Sequence, residues 1–98
     1  MWAISEYLIS EHQSEFALTL PKNYQTLCVL LREERYGDGT QSKYTPYLYV
    51  LAPANEGGTE EVNFLHVESD GTFEGACAYV GSYQEKGYYK VKHLFRRI

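Results

Sequence analysis

Turn signals cut this 98-residue chain into short pieces, and that rhythm limits it to a β fold. Pro21-Lys22-Asn23, Gly37-Asp38-Gly39, Asn55 with Gly57-Gly58, Asp70-Gly71 and Glu85-Lys86-Gly87 separate runs of strand-forming residues. The clearest run is Glu15–Leu20. It sends Phe16, Leu18 and Leu20 to one face and Glu15, Ala17 and Thr19 to the other. Trp2–Ser10, Tyr44–Ala52, Glu61–Glu68, Ala76–Tyr83 and Tyr88–Phe95 read as further strands.

Three local features refine this pattern. Asp70-Gly71 is a hairpin signal, with Thr72–Glu74 returning from it and Gly75 marking a bulge. Pro46 predicts an edge position or a bulge. Gln25–Tyr36 fits a strand through Leu27, Val29 and Leu31, and a helical face through Leu27, Leu30, Leu31 and Glu34. A strand is favoured, because Pro21-Lys22-Asn23-Tyr24 makes a turn and the next segment must pair. The chain therefore predicts one mainly β domain over residues 1–98. It would be a small antiparallel β-sandwich or open barrel of about six or seven strands, with room for one short helix.

A chain of this length builds one core and has little depth for an enclosed site. A site on an open face or at a subunit interface is expected. No metal-ligand spacing links His12, His66 and His93, and His66 reads as a structural histidine beside Phe64 and Val62. No nucleophile signature or phosphate loop occurs. Glu33-Glu34 and Glu60-Glu61 are adjacent, so on a strand each pair points to opposite faces, which suits general acid/base work poorly. Cys28 and Cys77 sit among apolar neighbours and read by default as buried reduced thiols, with a disulfide between them left open. No enzyme activity and no cofactor are expected.

The net charge of −4 argues against a general binder of DNA backbone. Its distribution is uneven. Residues 54 to 75 carry Glu56, Glu60, Glu61, Glu68, Asp70 and Glu74 without a Lys or Arg; the tail from 86 carries Lys86, Lys90, Lys92, Arg96 and Arg97 without an acid. In the last strand, Tyr89, Val91, His93 and Phe95 share one face, read as core. Tyr88, Lys90, Lys92 and Leu94 share the other, read as a basic surface. Ten Tyr residues supply flat apolar bodies with polar tips. Arg32, Arg35, Tyr47, Tyr49, Tyr88, Lys90, Lys92 and Arg96 are thus the candidate binding residues. Cations beside aromatics can hold a nucleobase and its phosphate, and the same mixture is enriched in protein interfaces.

Several short motifs run in a suggestive order: Ile4-Ser5-Glu6-Tyr7-Leu8-Ile9, Leu20-Pro21, Leu27 with Val29, Tyr79-Val80-Gly81-Ser82-Tyr83-Gln84, and Val91-Lys92-His93-Leu94-Phe95. The series resembles a family of small uncharacterised accessory proteins of tailed bacteriophages. Members of that family carry a Trp in the central strand where this chain has Tyr47-Leu48-Tyr49, and the acidic stretch around 55 to 61 has no counterpart in them. The resemblance implies a phage accessory product that works by binding, many of which block a bacterial defence system or host enzyme. It assigns no functional residue.

The first expectation is a non-enzymatic, homo-oligomeric counter-defence protein that sequesters a nucleotide-derived immune signal. The second is an acidic inhibitor that blocks a host defence nuclease or enzyme by protein contact. A small enzyme and a virion structural or assembly protein rank behind them. Met1-Trp2-Ala3-Ile4-Ser5-Glu6 lacks a basic region, and no apolar run reaches the ~20 residues of a membrane span. Host cytoplasm is the expected location.

Overall fold

The computed structural model describes residues 1–54, 57–84 and 91–98. They form seven strands: β1 (Trp2–Leu8), β2 (Glu15–Pro21), β3 (Gln25–Tyr36), β4 (Gln41–Pro53), β5 (Thr59–Glu68), β6 (Cys77–Gln84) and β7 (Val91–Arg97). The strands make two antiparallel sheets, ordered β1-β4-β3 and β2-β5-β7-β6. This is the expected mainly β architecture, and the described residues contain no helix. Among them, no helix is long and apolar enough to cross a membrane. Gln25–Tyr36 is a strand along its full length.

Strand alternation builds the core. Pro46, Leu48, Val50 and Ala52 of β4 are buried on one face. Leu48 and Val50 cluster with Leu20 of β2, Val62 and Phe64 of β5, Tyr83 of β6 and Leu94 of β7, together with Val29 of β3 and Ile9. Closest approach falls where Gly81 of β6 faces Val29 of β3. A Cβ on Gly81 would lie 2.9 Å from Val29 Cγ2. Both strands are irregular close by, with a register shift between Thr26 and Cys28 in β3 and another between Tyr79 and Gly81 in β6.

Pro46 departs from expectation, because β4 is the central strand of its sheet. The Pro46 carbonyl accepts from the Ile9 N–H at 3.1 Å, so the Pro46 nitrogen also faces the β1 side. β1 pairing ends at Leu8. The missing donor therefore costs no bond to β3, and the proline is tolerated inside a sheet.

Thr72–Glu74 is not a strand. The Gly71 N–H closes a turn onto the Glu68 carbonyl at 2.8 Å, and the chain then runs across the outer face of the second sheet. Phe73 packs on Phe95 with ring centroids 4.8 Å apart. That cover explains why Leu65 and Val67 are buried on the face opposite Phe64. Gly75 sits in this connection at φ +96°, and the strand irregularities lie elsewhere.

The faces of β7 are also the reverse of the reading from alternation. Leu94 is fully buried and registers with His66 of β5 and Gly81 of β6. Lys92, Leu94 and Arg96 therefore turn toward the first sheet, while His93 and Phe95 face outward under the 69–76 connection. β7 lies between two strands and is covered on both sides, so alternation separates its faces without saying which is inner. Tyr88, Tyr89, Lys90 and the Glu85-Lys86-Gly87 turn lie outside the described residues, as do Asn55 and Glu56.

Candidate functional site

Register fixes what the outer face of the first sheet presents. β1 contributes Trp2, Ile4, Glu6 and Leu8, opposite Pro53, Leu51, Tyr49 and Tyr47 of β4. β3 contributes Cys28, Leu30 and Arg32, opposite Tyr49, Tyr47 and Thr45. Trp2 is 64% exposed, Ile4 66%, Leu8 57% and Leu30 54%. An exposed set of large apolar side chains on one sheet face marks a contact surface more often than scattered singles do.

A charged cluster lies within this face. Arg32 Nη1 donates to Glu6 Oε1 at 2.6 Å, and Arg32 Nη2 donates to the Tyr47 hydroxyl at 3.2 Å. The Tyr47 hydroxyl in turn donates to Glu34 Oε1 at 2.5 Å. Arg32 Cζ lies 4.2 Å from the Tyr47 ring centroid, a cation–π contact. The Tyr47 hydrogen bond, helped by the charges of Lys43 and Arg32, holds the Glu34 carboxyl below the usual carboxylate range. The same bond raises the Tyr47 phenol above its ordinary value. The hydrogen bond to Glu6 raises the Arg32 guanidinium. Two carboxylates thus answer Arg32.

The eight residues singled out from sequence do not converge. Arg32, Tyr47 and Tyr49 share the outer face of the first sheet. Arg35, opposite Ser42, falls on the other face of β3 near the hairpin end, 3.7 Å from Glu33 Oε1. Lys92 and Arg96 lie on the inward face of the second sheet, where Lys92 Nζ donates to the Glu11 carbonyl at 2.8 Å. Tyr88 and Lys90 fall outside the described residues. Trp2, Ile4 and Leu8 escape a reading by alternation because apolar residues at alternate strand positions look like core, and Leu30 escapes it because it stands on the face opposite Leu27, Val29 and Leu31 with no pattern of its own.

A second feature lies at the end of the other sheet. An open cleft of about 870 Å³ runs between the 12–15 loop and the 69–74 connection, with Glu15, Glu68, Asp70 and Glu74 on its walls. Arg97 crosses it, paired with Glu15 and donating to the Glu74 carbonyl. His66 is held at both ring nitrogens, by the Gln13 carbonyl and the Tyr83 hydroxyl, each at 3.0 Å, and lies 5.2 Å from the Phe16 ring. His93 bridges Ser82 at 2.6 Å and Ser69 at 3.1 Å, which ties the connection to the sheet. Among the described residues, no group of three His, Cys, Asp or Glu side chains could hold a metal ion.

These features define a small antiparallel β-sandwich with one open, apolar sheet face. No family model, no curated protein and no solved structure matches the chain.

Proposed function

We propose that this protein acts by binding another protein, as an inhibitor in the phage counter-defence setting that its resemblance implies. One observation carries the reading: Trp2, Ile4, Leu8 and Leu30 lie exposed on the same sheet face as the ion-paired Arg32 stacked on Tyr47. Trp, Tyr and Arg are the residues that dominate the energetics of protein interfaces. Sequestration of a nucleotide is the weaker reading. A phosphate approaching Arg32 would meet the Glu6 and Glu34 carboxylates, and Lys92 and Arg96 belong to a different sheet face.

The test is a plating panel. Bacteria that each carry one defence system express the protein and are challenged with a phage which that system restricts. Restored plating in at least one strain is expected, with stoichiometric inhibition of that strain's purified defence enzyme. Nucleotide released on heating the purified protein, or a melting temperature raised by cyclic nucleotides, would favour sequestration instead.

A further inference from the structure

We infer that two copies of this chain pair through β1, antiparallel about a two-fold axis at Ser5, joining their first sheets into one continuous sheet. The inference rests on the backbone edge and does not require the contact function proposed above.

The open edge of β1 can be assigned atom by atom. The Ile9 N–H donates to the Pro46 carbonyl, and the Met1 carbonyl accepts from the Ala54 N–H at 2.9 Å. The two bonds continue the β1–β4 register by one residue at each end, so odd-numbered residues turn their backbone groups toward β4. The N–H and C=O groups of Trp2, Ile4, Glu6 and Leu8 therefore face away from β4, along the sheet edge. Sheet order leaves β1 at that edge with no described strand beyond it.

The other three edges carry the devices that stop edge pairing. β3 has a register shift at Thr26/Cys28 and a charged run, Arg32 to Arg35. β2 ends in Pro21. β6 has a register shift at Tyr79/Gly81. β1 has a regular register and neither Pro, Lys nor Arg. Its one charge, Glu6, is paired with Arg32 of its own sheet. Six of its seven residues are exposed, on both faces of the strand.

The occupant follows from self-complementarity. An axis at Ser5 sets Trp2 against Leu8 of the partner subunit and Ile4 against Glu6 of the partner subunit. Every open donor then meets an open acceptor, since all belong to even-numbered residues. The two Glu6 carboxylates sit diagonally and keep their Arg32 partners, and Trp2 covers Leu8 on the shared outer face. Ala3 and Ser5 are small and leave the inward side clear. One edge-strand pairing is smaller than the ~800 Å² a side of a standard complex, so the dimer is expected to dissociate at micromolar concentration.

The test uses the full chain. Sedimentation velocity from about 1 to about 100 μM should show a monomer–dimer equilibrium. Ile4→Pro removes a donor from the open edge of β1 without touching a bond to β4, along with the exposed Ile4 side chain, and should weaken association at least tenfold while retaining the β circular-dichroism spectrum. Ser5→Cys should form a disulfide-linked dimer in air, because Ser5 faces its own copy as a closely spaced pair; Ala3→Cys, facing Tyr7 of the partner subunit, should not. If Ile4→Pro fails to fold, the cysteine pair decides. A wild-type monomer throughout the range, unweakened association of a folded Ile4→Pro protein, or equal cross-linking by the two cysteine variants would overturn the inference. Leu30→Asp leaves the edge untouched and should dimerise normally even where it abolishes partner binding, which separates this inference from the function proposed above.

Discussion

Gly81 and Val29 mark where the two sheets come closest: a side chain on Gly81 would put its Cβ 2.9 Å from Val29 Cγ2 and 3.3 Å from Val29 Cβ. The obstacle is a branched side chain close to its own backbone, which cannot swing away. Gly81→Ala should therefore force the sheets apart and cost about 1–3 kcal/mol. Urea unfolding measures it. Combining Gly81→Ala with Val29→Ala should cost less than the sum of the two single changes, since the second opens space for the first. Strict additivity would contradict this contact.

The buried face of β7 is open to a direct comparison. Leu94→Ala removes a fully buried side chain from the junction of the sheets and should cost about 2–5 kcal/mol. Phe95→Ala removes a half-buried ring from the outer face, where it contacts Phe73 and Tyr79, and should cost less. Equal losses, or a larger one at Phe95, would mean that the strand faces the other way.

Glu34 links the surface cluster to pH. Its carboxyl is lowered in the fold, first by the Tyr47 hydrogen bond. A lowered carboxyl stabilises the fold above its unfolded value of about 4, and that contribution is lost as pH falls through the folded value. Asp38, lowered by the Thr40 hydroxyl and amide, acts in the same direction. Tyr47→Phe removes the largest cause at Glu34, so its NMR titration midpoint should move up toward the ordinary range. An unmoved midpoint would remove Tyr47 from that role. Both groups are solvent-accessible, so stability at neutral pH should change little.

Alternation read the strands well where one face meets water. In β2, Leu20 is buried and Glu15, Ala17 and Thr19 are exposed, as Glu15–Leu20 reads from sequence. It failed where a face is decided by something distant. Trp2, Ile4 and Leu8 have the spacing of core residues, yet they face out because the second sheet packs on the opposite side of β4. Lys92 and Arg96 look like a surface, yet they flank buried Leu94. Thr72–Glu74 looks like a returning strand, yet β7, some twenty residues later, takes the place beside β5. The candidate site was legible only in the Arg32–Tyr47–Tyr49 group. Its neighbours Glu6 and Glu34, which answer Arg32, stand 26 and 2 residues away in the chain, and no local spacing joins them to it.

Leu30 is the most telling position for the contact surface. It lies on β3, away from the β1 edge, and it is exposed. The deciding measurement is a calorimetric titration of the defence protein whose activity is blocked, against wild type and Leu30→Asp. The expected result is affinity at least about thirtyfold weaker for Leu30→Asp, the loss of one interface hot spot, with an unchanged melting temperature. Equal affinity for the two proteins would contradict the assignment of this face.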